Sequence, residues 1–160
     1  MKRPILTLVL CAAFISTFVQ VPDSHSQPTQ AGYVGANACD CCHEDLVKGW
    51  KTTRHAKAFE TLKKKSQESL PNCQKCHVTG FDKAGGFVDL ELTPELAGVQ
   101  CESCHGAAAA HAAGPDKRKP LIAIPDESTC RECHTKGQDP KFDYNTKRKL
   151  VHGDSRKGEK

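Results

Sequence analysis

Four segments of this 160-residue chain share one arrangement, two cysteines three positions apart with a histidine directly after the second. They are Cys39-Asp40-Cys41-Cys42-His43, Cys73-Gln74-Lys75-Cys76-His77, Cys101-Glu102-Ser103-Cys104-His105 and Cys130-Arg131-Glu132-Cys133-His134. This spacing is the attachment signal for c-type haem. Two thiols reach the vinyl groups on one edge of a porphyrin, and the next side chain falls beneath the iron as its proximal imidazole. Zinc sites also use paired cysteines, and eight cysteines in an exported chain suit a disulfide framework. Neither explains a histidine after every pair. The expectation is four covalent haems, held by Cys39, Cys42, Cys73, Cys76, Cys101, Cys104, Cys130 and Cys133, with His43, His77, His105 and His134 as proximal ligands.

The second side of each iron decides what it does. The single methionine is Met1, inside the leader discussed below, so the mature chain has no methionine to offer. Outside the leader and the motifs there are three histidines: His55, His111 and His152. Each lies close to a haem motif in sequence, and each is read as a distal ligand. Four irons and three such ligands leave one iron open to a small molecule. His55 does not serve the iron of His43. Along a helix the two lie ~18 Å apart, whereas two nitrogens on one iron are only ~4 Å apart, given metal–nitrogen bonds of ~2 Å. It is expected to reach across to another haem, as is His111. His152 is left between its own haem and another. Cys41, between the attachment thiols of the first site, is on the wrong side to be a distal ligand and is read as an inert thiol.

The start of the chain reads as a secretory signal: Lys2 and Arg3, an apolar run from Ile5 to Val21, and small residues at Ser24-His25-Ser26. Cleavage after Ser26 leaves Gln27 to Lys160, 134 residues, exported to the periplasm or an equivalent compartment and soluble. The run is barely long enough for an uncleaved anchor, and Leu10 before Cys11 is not the small residue of a lipoprotein signal. In the mature part Leu, Ile, Val and Phe total 20 residues, roughly 15%, too few for an ordinary core. Four macrocycles supply the missing interior, each burying apolar surface at about 25 cal/mol per Å². The apoprotein is therefore expected to fold poorly. The mature formal charge is +3, with 21 basic and 18 acidic residues, and two propionates per haem lower it further. Nucleic acid is thus a poor partner; Lys63-Lys64-Lys65 and Lys117-Arg118-Lys119 read as solvated faces or propionate partners.

The elements that must position these sites are short. Residues 27–36 read as a flexible lead-in, and 37–160 as the tetrahaem domain. A helix is expected from Ala36 through Trp50, and a second, capped by Thr52 or Thr53, through Leu62. Gly85-Gly86, between Phe81 and the partly alternating Phe87–Leu92, predicts a small hairpin. Thr93-Pro94-Glu95-Leu96 predicts a short helix, as does Ala107–Ala113, and Ser128 starts the helix of the fourth site. The fold class is mainly α, with short helices and long loops wrapped around four haems. Motif spacings of 34, 28 and 29 residues with unlike intervening sequence exclude a repeat protein.

Two blocks, Cys39–Leu62 with Trp50 and His55-Ala56-Lys57-Ala58, and Cys73–Gly106 with His77-Val78-Thr79-Gly80-Phe81, Gly85-Gly86 and Leu96-Ala97-Gly98-Val99, resemble the cytochrome c554 family. The resemblance implies a mostly helical fold with stacked and near-perpendicular haem pairs. It implies three bis-histidine haems and one five-coordinate haem, here that of Cys73, Cys76 and His77. His55 matches the distal histidine after the first site, and His111 and His152 match by order. It further implies electron transfer from a hydroxylamine oxidoreductase, with some activity toward nitric oxide at the open haem. This chain departs from the family in a shorter stretch between the third and fourth sites, a shorter C-terminus, and Ala107-Ala108 where the family has Pro-Gly. The leading expectation is an electron carrier working between redox partner proteins. Reduction of nitric oxide or a similar oxidant at the second haem, and a polymeric wire whose subunits exchange distal histidines, are the alternatives.

Overall fold

A computed structural model describes residues 32–113 and 121–156. The expected leader, residues 27–31 of the lead-in and the basic stretch Lys117-Arg118-Lys119 lie outside the described residues. Among the described residues the chain is mainly α, as expected. The helices are α1 Asp40–Lys51, α2 Ala58–Lys63, α3 Pro71–Gln74, α4 Cys101–His105, α5 Ala109–Ala113, α6 Glu127–Arg131 and α7 Tyr144–Lys147. Single 3₁₀ turns at Ala36–Cys39, Pro94–Leu96, Arg148–Leu150 and Gly153–Arg156 join them.

Local chemistry keeps the helices short. His43 leaves helical geometry inside α1, with φ −129° and ψ 39°. The Thr52 and Thr53 hydroxyls donate to the carbonyls of Gly49 and Trp50, each at 2.7 Å, and close that helix. Thr53 Oγ1 also accepts from the Ala56 amide at 3.3 Å, but α2 begins only at Ala58, behind Lys57 and with no side-chain cap, so the expected threonine cap is not formed: both hydroxyls are spent on ending α1. Pro71 occupies the first turn of α3, where a missing N–H costs nothing. The helix at the fourth site starts at Glu127, not at Ser128. Its cap is Asp126, whose carboxylate accepts from the Thr129 amide at 3.1 Å.

The hairpin is not formed. Residues 80–92 make successive turns, and the pairing in this region is one isolated bridge between Val78 and Ala97. The reason lies in Asp89. Its Oδ1 accepts from the amides of Glu91 and Leu92, at 2.9 and 2.8 Å, and turns the chain where the second strand would have run. The Thr93 hydroxyl accepts from the Val88 amide at 2.8 Å and closes the same turn. Val88, Leu90 and Leu92 consequently face solvent. The loop is held to the body elsewhere: Phe87 N donates to Thr79 O at 3.0 Å, and Gly86 lies so close to the Gly80 carbonyl that no side chain fits there.

Phe59, Leu62, Val78, Phe87 and Leu96 form the buried cluster, with Tyr33, Cys73, Phe81 and Ala97 against it. The rings of Phe59 and Phe87 are 5.5 Å apart. This core sits beside the second motif. The C-terminal turn returns to α1, where Gly49 meets the backbone of His152 and the side chain of Ser155 too closely for a Cβ. That approach brings His152 back to the start of the domain.

Candidate functional site

Each motif is placed by a helix, of about three turns at the first site and about one turn at the others. Cys39 precedes α1, whose first turn ends at His43, while α4 consists of the third motif alone. Cys73 and Cys130 lie on α3 and α6, with His77 and His134 just beyond. Three of the four motif histidines have Nδ1 engaged. His77 donates to the Ala58 carbonyl at 2.7 Å, His105 to the Ile122 carbonyl, and His134 to Asp139 Oδ2 at 3.0 Å. A metal-ligating histidine has its second nitrogen tied in this way, which leaves Nε2 for the metal.

The first and third motifs open onto one cavity of about 320 Å³, within the size range of cofactor sites. Trp50, Leu46, Val99 and Ala108 wall it, and His55, His111 and His152 all line it. Trp50 Nε1 donates to the Val99 carbonyl at 2.9 Å, tying α1 to the strand of chain that enters α4. Thiols of different motifs come together: Cys39 with Cys101, and Cys133 with Cys76. Burial pushes the Cys104 thiol up to about 11, with the neighbouring Cys130 and Glu132 adding to it. Burial and the Cys76 contact push Cys133 up to about 12.

Two histidine pairs carry the clearest geometry. The rings of His55 and His134 have centroids 6.0 Å apart, and those of His105 and His152 6.2 Å apart. With metal–nitrogen bonds of ~2 Å, two imidazoles on opposite sides of one metal have ring centres roughly 6 Å apart. His55 is kept neutral, its pKa lowered by burial and then by His134 beside it. Its ring lies beside a histidine of another motif. His152 stands at the third motif, and His111 lines the same cavity as His43. The apolar walls, the tied Nδ1 atoms and the paired rings fit c-type haem.

Other residues of the site carry no sequence signal. Glu102, inside the third motif, is 3% exposed. Its carboxylate accepts from the amides of Val34, Gly35 and Ala108 at 2.8–3.1 Å. Gln100 Oε1 accepts from Ala36 N, and its Nε2 donates to Glu95 O and Ala97 O. The buried Thr79 hydroxyl donates to Gly98 O at 2.8 Å, accepts from Gln100 N at 3.0 Å and meets Ser103 Oγ at 3.0 Å. Together they join the end of the lead-in, the second motif and the third. Cys41 is exposed, its sulfur 3.4 Å from that of Cys42.

Short helices on a thin interior, two motifs opening onto one cavity, and histidines of different segments paired ring to ring describe a multihaem c-type cytochrome. Residues 38–106, which include the first three motifs, match the family model of cytochrome c554 and c-prime. Cytochrome c-554 of Nitrosomonas europaea is 32% identical over 114 residues, 62% of this chain and 48% of that protein. The chain thus spans about half the length of this curated relative. The reduced-state structure of cytochrome c554 from the same organism superposes with a TM-score of 0.56 at 26% identity, covering 78% of this chain and 85% of that one. The resemblance to the cytochrome c554 family is thereby shown, and residues 38–106 carry it.

Proposed function

We propose that this protein is an exported tetrahaem electron carrier passing electrons between redox partner proteins. The observation that carries the proposal is the pair of ring separations, His55 to His134 at 6.0 Å and His105 to His152 at 6.2 Å. When bound, c-type haem supplies a reversible one-electron couple. The chain's own residues do the rest. Cys39, Cys42, Cys73, Cys76, Cys101, Cys104, Cys130 and Cys133 tether, while His43, His77, His105 and His134 ligate from the proximal side. His55 serves the fourth motif, His152 the third, and His111 faces His43. His77 then has no protein ligand opposite it, and the second haem is the five-coordinate one. Cys39 near Cys101, Cys104 near Cys130 and Cys133, and Cys133 near Cys76 support a spatial order of first, third, fourth, second. Electrons then enter at one end and leave from the other, and histidine ligation without methionine keeps the potentials low.

The test is electron paramagnetic resonance of the oxidised holoprotein. One high-spin signal beside three low-spin ones is expected. His55→Ala should convert one low-spin signal to high spin and leave the original high-spin signal in place. Four low-spin signals in the unaltered protein would remove the open haem. Reduction of a small oxidant such as nitric oxide at His77 follows only from that opening, and the family's oxidoreductase partner remains a proposal for this shorter chain. Stopped-flow mixing of the reduced protein with nitric oxide tests the former.

A further inference from the structure

We propose that Asp139 makes the haem of the fourth motif the lowest in potential of the set, so that it is the last to be reduced and the first to be reoxidised. This rests on His134 being an iron ligand, as proposed above. His77 and His105 donate Nδ1–H to neutral backbone carbonyls, those of Ala58 and Ile122, whereas His134 donates to a carboxylate oxygen at 3.0 Å. A charged acceptor draws the imidazole proton further toward itself. The ring becomes a stronger electron donor through Nε2, which favours the more positive oxidised iron over the reduced one. The balance is simple: a one-electron donor reduces the iron, no bond is made or broken, and the Nδ1 proton stays between ring and carboxylate.

The surroundings hold this arrangement in place. Asp139 N donates to Thr135 O at 2.8 Å, and Asp139 O accepts from Phe142 N at 3.1 Å, so the residue is fixed from both sides. Phe142 stacks on the His134 ring, centroids 4.5 Å apart and planes inclined by 23°. The Arg131 guanidinium lies 4.8 Å from the centre of the Phe142 ring and donates to the carbonyls of His134 and Phe142. Arg131 is the opposing charge, but it is paired with Glu127 at 2.9 Å. Asp139 and His134 side chains are each 34% exposed. Solvent therefore screens the carboxylate's field at a distance, while the hydrogen bond acts through the ring itself.

Asp139→Asn keeps an acceptor oxygen for Nδ1–H and removes the charge, and it is to be tested by spectroelectrochemical titration of the holoprotein after mass measurement of its haem content. The lowest one-electron step should rise by tenfold or more in its equilibrium constant, about 59 mV for one electron, with the other steps moving by less than a third of that. Asp139→Glu, which retains the charge, should leave the lowest step within the same third. Glu132→Gln, which removes an exposed carboxylate of the same motif, serves as the control for charge alone. The proposal is overturned if the lowest step does not move in Asp139→Asn, if a higher step moves instead, or if Glu132→Gln moves it as far. A starting protein that carries fewer than four haem masses would overturn the ligand reading beneath it.

Discussion

The second motif and the shared site of the first and third motifs are built on opposite plans. Around the second, the protein supplies its own interior: Phe59, Leu62, Val78, Phe87 and Leu96 pack together with Cys73 against them, and His77 is tied to the backbone of α2. Around the first and third, side chains wall a hollow and do not fill it. The difference is the one that the proposed ligands would require. An iron with histidine on both sides is clamped by two parts of the chain and itself joins them. An iron held from one side joins nothing, so the protein beneath it must be rigid without it. On the proposed ligation, the apolar residues of a chain with few of them are gathered where the haem would contribute least.

The largest test of this contrast removes attachment at one site or the other. Cys101→Ala with Cys104→Ala should abolish a compact holoprotein, seen as loss of protease resistance and of a cooperative melt. Cys73→Ala with Cys76→Ala should leave slow hydrogen exchange at the amides of Leu62, Thr79 and Phe87. Equal loss in both would erase the distinction. A smaller effect separates core from loop within the second region. Leu96, 1% exposed, should cost about 3 kcal/mol when changed to alanine. Leu92, 69% exposed, should change stability by less than about 0.5 kcal/mol. Denaturant titration of the holoprotein compares the two. The smallest concerns the seam between the regions. Thr79→Val removes a hydroxyl of 0% exposure that serves Gly98 O and Gln100 N, and strands both groups for about 2 kcal/mol. If it costs nothing, the two regions are not coupled there.

What could be read in advance followed from covalent and metal chemistry. Four Cys-x-x-Cys-His motifs allow little else, and the distance of His55 from His43 along a helix already sent it to another motif. The partner of His55 was not legible, because residue 134 comes near residue 55 only when the chain folds back on itself. Glu102 was hidden for a similar reason: an acidic residue between two cysteines reads as surface until the amides of Val34 and Gly35 are brought to it. The hairpin failed on one side chain. Gly85-Gly86 and partial alternation favour strands, but Asp89 offers the backbone amides a nearer acceptor, and local hydrogen bonding won. Ser128 was one turn residue too late for the same kind of reason, since Asp126 reaches the Thr129 amide first.

The grip of Glu102 on Val34 and Gly35 has a consequence for biogenesis. A polypeptide emerging from its N-terminal end presents the first motif well before residue 102 has been made. Until then the amides of Val34 and Gly35 lack the carboxylate that holds them, and the stretch before Cys39 is fixed only once the third motif arrives. Were a haem attached at Cys39 and Cys42 before that, loading and locking of the first position would be separate events in time.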